Sequence, residues 1–273
     1  LDGLDINDPA TGAYYAAMLE AKILEEGADS VLAFIVEPIG GASTGALVPP
    51  AGYMQAVREI CDRYGVLLIH DEVMSGKFMG AEHFGAEPDI IAISKGFGAG
   101  YAPLGAMIAH DRLIDPVLDA GGFLHGHTYA GNPLACAAGL AVLEEIEAGD
   151  LMKNASRMGG LLKARLQNLM QRFSFIGDVR GEGLLLAFEL VSDRQTMQPL
   201  PKALNAYNEL VELAYAEGLI IYSRRTRGGL EGDHFLVCPP MIITEGQVNE
   251  IIDMLTNALD KFAASAGLAV ETA

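Results

Sequence analysis

The stretch that decides the fold lies between residues 66 and 100 and reads VLLIHDEVMSGKFMGAEHFGAEPDIIAISKGFGAG. It contains two short apolar runs, Val66–Ile69 and Asp89–Ser94, and charged residues follow each of them, Asp71 after the first and Lys95 after the second. Continuous apolar runs, as opposed to alternating ones, are typical of parallel strands that are buried on both faces. We therefore predict that the two runs form neighbouring strands of a mostly parallel sheet.

The segments on either side extend this pattern. Val31–Val36 and Leu104–Ala109 are two more apolar runs and predict two more strands. Between the strands we predict a helix that opens near Pro50 and closes at Gly65, and a second that begins at Asn132-Pro133 and runs to about Glu147. Alternating strands and helices indicate an α/β domain, which we assign to residues 1–149.

The pattern changes after residue 149. The predicted elements are a helix over Asp150–Arg172, a strand over Leu184–Leu190, a helix over Leu204–Glu217, strands over Leu219–Tyr222 and His234–Cys238, and a last helix from Thr244. Thr244 and Gln247 have capping-box spacing. The segment Ser223–Asp233, rich in Arg and Gly, is predicted to be an exposed loop. We assign residues 150–273 to a smaller C-terminal α+β domain.

Composition limits the classes of function. The chain has 273 residues, 51% of them apolar, and a formal net charge of -18, which disfavours binding to nucleic acid through phosphate contacts. Its three cysteines, Cys61, Cys136 and Cys238, are far apart, which disfavours a disulfide framework and favours a reducing compartment such as the cytoplasm. We find neither an apolar run long enough to span a membrane nor a signal peptide, so we expect no membrane association.

Polar residues follow three of the predicted strands. These residues are Glu37-Pro38, His70-Asp71-Glu72 and Ser94-Lys95-Gly96. Each alone is typical of a solvated strand end, but ligands of open α/β sheets bind beyond the carboxyl ends of the strands, so the three together predict a site. A deprotonated lysine can form a Schiff base with an aldehyde, and a nearby aspartate can keep a pyridine nitrogen protonated. Because Lys95 precedes the glycines that follow it, the segment does not match a nucleotide-binding P-loop.

Four segments, in this order and at these spacings, resemble the class III (omega-type) aminotransferases, which are pyridoxal 5'-phosphate (PLP) enzymes of fold type I. The segments are Phe34–Gly41, Leu68–Gly76, Pro88–Ala106 and His127–Pro133, and Phe235–Thr244 is similar to the family's small-domain strand and final helix start. The resemblance implies a PLP fold type I large domain with a mostly parallel sheet, plus the smaller C-terminal domain. It also implies transfer of an amino group from an amine or amino acid donor to a keto acid such as pyruvate.

The resemblance implies roles for five residues. Lys95 would form the Schiff base with PLP and move the proton between substrate and cofactor carbons. Asp71 would pair with the pyridine nitrogen, and Val73, expected on the same strand face, would pack against the ring. Thr128 would bind the cofactor phosphate from the neighbouring subunit of a homodimer with shared active sites. Glu37 would lie on the substrate side, near a basic group.

The sequence departs from the family in three places. The family has an N-terminal region before the equivalent of Leu1, and its loop after the equivalent of Gly76 is longer, so we expect this chain to belong to a longer protein. The position that we align with the family's carboxylate-binding arginine holds Glu231. Candidates for that role are the arginines in the preceding segment, Arg224, Arg225 and Arg227.

Two alternatives remain open. One keeps the cofactor but changes the reaction to that of an aminomutase or a decarboxylating transaminase, although Tyr101–Ala106 is more similar to the transaminases. The other is a non-catalytic scaffold with the same fold. The pair His125 and His127 lies in a glycine-rich loop without a nearby cysteine or carboxylate cluster, so we predict no metal site there.

Overall fold

The computed structural model describes residues 3–75, 80–226 and 229–271. Its contacts divide the chain into two units. The first unit joins the residues up to Ile39 with Pro49–Ala148, and the second joins Gly40–Val48 with the residues from Gly149 onward.

The sheet of the first unit has four strands in the order β1-β2-β3-β4. They are β1 (Ala33–Val36), β2 (Leu67–Asp71), β3 (Ile90–Ile93) and β4 (Ala106–Ala109). The first three are parallel, as predicted, whereas β4 runs antiparallel to β3. The physical reason is that a parallel neighbour needs a crossover connection, usually through a helix, and only a short 3₁₀ turn and a loop join β3 to β4.

The described residues of this unit form the α-helices α1 (Pro9–Glu26), α2 (Tyr53–Tyr64), α3 (Gly80–Phe84), α4 (Asp111–Asp119) and α5 (Pro133–Ala148). Two predicted helix ends are confirmed. Gly65 ends α2 with a left-handed backbone, and the Asn132 side chain accepts a hydrogen bond from the Ala135 N–H at 3.1 Å at the start of α5. The sequence analysis did not predict α1.

The apolar core of this unit lies on one face of the sheet. Ile23 of α1 and Val57 of α2 are buried in one cluster with Leu68 of β2. On β1 and β4, Ile35 is 60% and Met107 55% exposed. The expectation that these strands are buried on both faces is therefore wrong for the described residues, because α1 and α2 cover a single face.

A buried carboxylate joins the helices to the sheet at the edge where β3 begins. Asp89 accepts hydrogen bonds from the Leu68 N–H at 2.7 Å and from Arg58 at 2.9 Å, and it also pairs with Arg112. Burial opposes ionisation of this group, but its donors outweigh that effect and lower the pKa of Asp89 below its ordinary value of 3.8.

We predict that Asp89→Asn lowers the free energy of unfolding at neutral pH by about 2–4 kcal/mol, because it removes the buried charge that compensates the partly buried Arg58. Since the pKa is lower in the folded state, the stabilisation is complete above the unfolded value and is lost as the pH falls through the folded value. Urea unfolding of parent and variant between pH 7 and pH 3 measures this. Asp62→Asn is the control, because exposed Asp62 pairs with the same Arg58 and should contribute little. An equal effect of both variants would contradict the prediction.

The second unit contains an antiparallel sheet in the order β5-β6-β9-β8, with the short strand β7 beside β6. Its elements are α6 (Leu151–Arg172), β5 (Ile176–Glu182), β6 (Leu185–Asp193), β7 (Gln198–Pro199), α7 (Ala206–Ala216), β8 (Tyr222–Arg225), β9 (Asp233–Val237) and α8 (Glu245–Ala266). Phe188 and Phe235 stack in the core at 5.0 Å between ring centroids. The capping box predicted at Thr244 and Gln247 is confirmed.

Two predictions for this unit are wrong. The segment predicted as the exposed loop Ser223–Asp233 instead opens with β8, which pairs with β9. Stacking of Arg224 on Tyr222, at 4.6 Å from the guanidinium carbon to the ring centroid, accommodates a charged residue in this strand. The strand predicted at Leu219–Tyr222 therefore begins three residues later. The sequence analysis also missed β5, whose Gly177 and Gly181 weaken the strand signal.

The guanidinium of Arg180 holds the segment Gly40–Val48 in the second unit. It donates to the carbonyl oxygens of Gly45 at 2.7 Å and Thr44 at 3.2 Å. The same group pairs with Asp178 at 2.9 Å and Glu189 at 2.7 Å. Charge-assisted bonds of this kind fix the segment more strongly than neutral ones would.

The wholly buried His234 makes a further bond to this segment, from Nε2 to the Ala42 carbonyl oxygen at 2.8 Å. Burial lowers the pKa of His234 and favours its neutral form. Gly45 has a φ of +67° between these groups, and a Cβ there would lie 2.7 Å from both Arg180 and the His234 ring. Only glycine fits without displacing them.

We predict that Gly45→Ala lowers the free energy of unfolding by about 2–4 kcal/mol, combining backbone strain with displacement of Arg180 and His234. The matched control is Gly267→Ala, because Gly267 has a φ of +66° and open space around it. It should lose only about 1 kcal/mol. Chemical denaturation of both variants separates the two contributions, and equal losses would show that the close contacts at Gly45 do not matter.

Candidate active site

The register of the parallel strands places three predicted site residues at one edge of the sheet. Val36 of β1 lies beside His70 of β2, so Glu37 follows β1 next to the end of β2. Asp71, the last residue of β2, lies beside Ala92 of β3, and Lys95 begins the turn that follows β3. A carboxylate, a second carboxylate and an amine therefore share this edge.

Asp71 is half-buried, and its carboxylate is oriented by a backbone N–H two residues further along the chain. Side chains alternate along a strand, so Asp71 lies on the opposite face from the buried Leu68 and His70, which is the face of the exposed Ile35. Its Oδ1 accepts a hydrogen bond from the Val73 N–H at 3.1 Å. This local bond ends the strand, so Val73 lies in the following turn and not on the strand face as predicted.

Lys95 has a strained backbone. Its φ is +41°, in the left-handed region that residues other than glycine rarely adopt, and its side chain is exposed. The preceding Ser94 hydroxyl donates to the Leu104 carbonyl oxygen at 3.0 Å, and a Cβ on Gly98 would overlap the Ala102 carbonyl oxygen. The turn is therefore tightly folded, and strain of this kind is concentrated at functional sites.

Thr128 and Glu37 occupy different surroundings. Thr128 is exposed in the turn that leads into α5, away from the strand ends in sequence, and its neighbour Tyr129 is 81% exposed. Glu37 is half-buried and is followed by the buried Pro38. The register of β1 and β2 thus places Glu37 at the edge that carries Asp71 and Lys95.

The sequence analysis assigned no role to Glu72, although it is wholly buried beside Asp71. Its Oε2 accepts a hydrogen bond from Ser75, and its Oε1 lies 3.8 Å from Nδ1 of the buried His70. Burial raises the pKa of Glu72, but His70, Ser75 and the Gly80 N–H outweigh it and lower the pKa overall. The signal available in the sequence was the pair of adjacent acidic residues at a strand end.

The arginine segment is described within the second unit. The Arg225 guanidinium bonds Asp233 at 3.1 Å and lies 4.0 Å from the Tyr207 ring centroid. Arg224 is exposed and stacks on Tyr222. Arg227 lies outside the described residues, so its candidate role has no structural counterpart here.

The described ranges contain no group of three or more His, Cys, Asp or Glu side chains arranged to hold a metal ion. The rings of His125 and His127 pack edge to face at 5.2 Å between centroids. None of the helices in the described part of the chain is long and apolar enough to cross a membrane.

The fold and the edge residues define an α/β protein with a lysine and an aspartate at the carboxyl ends of parallel strands. The family model of the class III aminotransferases matches residues 4–259. The chain belongs to this family.

Similar proteins support that assignment. The taurine–pyruvate aminotransferase of Bilophila wadsworthia is 38% identical over 268 residues, which are 94% of this chain and 58% of that protein. The leucine/methionine racemase of Thermococcus litoralis is 37% identical over 251 residues, 90% of this chain and 53% of that protein. The structure of a PLP-bound amine transaminase from an uncultivated Pseudomonas species matches with a TM-score of 0.85 and 39% identity, covering 93% of this chain and 58% of that one. The chain thus spans little more than half the length of these relatives.

Proposed function

We propose that the protein containing this chain is a PLP-dependent aminotransferase of fold type I, with Lys95 as the Schiff-base lysine. It would move an amino group from an amine or amino acid donor to a keto acid such as pyruvate. The observation that carries the proposal is the register that puts Asp71 and Lys95 at one edge of the sheet. Membership of the class III family and the pyruvate-dependent relative support it.

The residues at this edge fit PLP in their chemistry. When bound, PLP acts as an electron sink for the substrate's reacting carbon. The half-buried carboxylate of Asp71 suits a protonated pyridine nitrogen, and the exposed amine of Lys95 suits an aldehyde. Val73 would contact the ring, and the hydroxyl of Thr128 would bind the phosphate.

Lys95, Asp71 and Glu37 would have different roles in the reaction. Lys95, once its amine is free, accepts a proton from the substrate carbon and returns it elsewhere, as a general base and acid. Asp71 holds its charge in place, because the Val73 N–H orients one of its oxygens. Glu37 would orient a basic group on the substrate side.

Assembly into a homodimer with shared sites is part of the proposal. Its support is the exposed position of Thr128, which could contact a neighbouring subunit's cofactor, and the exposed Tyr129 beside it. A two-fold dimer is also the commonest arrangement of soluble oligomers.

A second candidate reaction is racemisation of an amino acid. The similarity to a leucine/methionine racemase favours it. Racemisation needs the same proton movement by Lys95 but returns the proton to the original carbon and transfers no amine. Chiral product analysis with and without pyruvate separates this candidate, and the aminomutase and decarboxylating alternatives, from transamination.

We predict that the full-length protein with added PLP shows a visible absorbance band that an amine donor bleaches, and that Lys95→Ala lacks the band. Turnover should fall by at least about 100-fold in Lys95→Ala, and Asp71→Asn should bind PLP more weakly. Lys22→Ala is the matched control, because Lys22 is an exposed lysine of the same unit that pairs with Glu25 and Glu26 of its own helix.

Either of two results would contradict this function. A band that persists in Lys95→Ala would place the Schiff base on another lysine. A parent protein that neither binds PLP nor turns over any amine would favour the non-catalytic scaffold.

A further inference from the structure

A buried carboxylate lies directly behind Asp71. Glu72 has no exposed surface, and the hydroxyl of Ser75 donates to its Oε2. Its Oε1 is buried without a hydrogen-bond partner among the described residues. The Ser75 hydroxyl, the nearby His70 and the Gly80 N–H nevertheless lower the pKa of Glu72 and favour its ionised form. A buried charge is costly unless its surroundings compensate it, so this arrangement constrains the chain around it.

Gly80, the first residue of α3, packs closely against the Glu72 carboxylate. A Cβ on Gly80 would overlap Pro38 and lie 3.1 Å from the Glu72 Oε1. The start of α3 therefore packs against the carboxylate and against the residue that follows Glu37. Glu72 thus lies where the chain segments that leave β1 and β2 meet the start of α3.

His70 adds a second unusual feature. It has no exposed surface, and neither ring nitrogen has a hydrogen-bond partner among the described residues. Its Nδ1 lies 3.8 Å from Glu72 Oε1, which is beyond hydrogen-bonding distance. Leaving buried polar atoms unpaired destabilises a fold, so an arrangement of this kind next to a site residue calls for a functional reason.

We propose that Glu72 is a positioning residue for Asp71, an inference that rests on the proposed function. The Val73 N–H, which orients the Asp71 carboxylate, lies in the turn between Glu72 and Ser75. The bond from Ser75 to Glu72 closes that turn, and the contact with Gly80 anchors it to α3. Glu72 thereby fixes the direction in which Asp71 presents its charge to the pyridine nitrogen, and adds a second negative charge behind it.

The chain offers a matched control for a purely structural role. Asp89 is also a buried, ionised carboxylate of this sheet, with a backbone N–H and arginines as donors. It lies at the start of β3, whereas the site lies at the carboxyl end of that strand. Loss of either charge should lower the stability of the fold, but only loss of the Glu72 charge should change PLP affinity and the pH dependence of the cofactor's absorbance.

The test uses the full-length protein with PLP and the variants Glu72→Gln, Ser75→Ala, Ser75→Thr and Asp89→Asn. We expect Glu72→Gln to weaken PLP binding and lower kcat by about 10- to 100-fold, with little change in KM for the amine donor. Ser75→Ala should show the same pattern at about 5-fold, and Ser75→Thr, which keeps the hydroxyl, should restore the parent values. In Glu72→Gln the pH midpoint of the cofactor's absorbance change should move to lower pH, because losing a nearby negative charge makes the protonated, cationic form of the cofactor less favourable.

The outcomes separate the inference from the proposed function. If Glu72→Gln and Asp89→Asn both lower the melting temperature and leave PLP affinity and the pH midpoint at parent values, Glu72 is structural and the inference is wrong. The mild Ser75→Ala variant gives the same decision if Glu72→Gln does not fold. A parent protein without the visible band would overturn the proposed function, and this inference with it.

Discussion

The parallel hydrogen-bond register of β1, β2 and β3 is the constraint on which the rest of the site depends. A shift of β2 by one residue would move Asp71 to the face covered by α1 and α2 and bring His70 to the open one. The register is fixed because the same shift would expose Leu68, which is wholly buried in the core. Burial of ordinary apolar side chains on one face therefore determines where the charged residues lie on the other.

Two charged residues at the carboxyl end of the sheet adopt energetically unfavourable states. Lys95 holds a left-handed backbone, at a cost of about 1–3 kcal/mol, and Glu72 is an ionised group without exposed surface. Asp89, at the opposite end of β3, is compensated by the two arginines that pair with it. We infer that the charged groups at the start of β3 stabilise the fold, whereas those at the carboxyl ends of the strands serve the proposed chemistry.

The sequence predicted the features that depend on long apolar runs and strong local signals. The four strands of the first sheet and the caps at Gly65 and Asn132 were predictable because apolar continuity and capping residues act within a few positions. The antiparallel direction of β4 and the position of β8 were not, since strand direction and charged edge strands depend on partners distant in sequence. The segment Gly40–Val48 belongs to the second unit because Arg180 hydrogen-bonds to it. These partners are far apart in sequence, so no local pattern predicts the bonds.

The site shows the same division. Asp71 and Lys95 were predictable as strand-end residues, whereas the turn that contains Val73 depends on the hydrogen bond from the Val73 N–H to the Asp71 side chain. Glu72 was missed because its burial depends on the packing of α3 against the turn after β2.

Reduction of the PLP-loaded full-length protein with borohydride, followed by peptide mass spectrometry, tests most directly the central claim that Lys95 forms the Schiff base. We expect the cofactor to be attached to the peptide that contains Lys95, and attachment to a different lysine, or to none, would contradict the account.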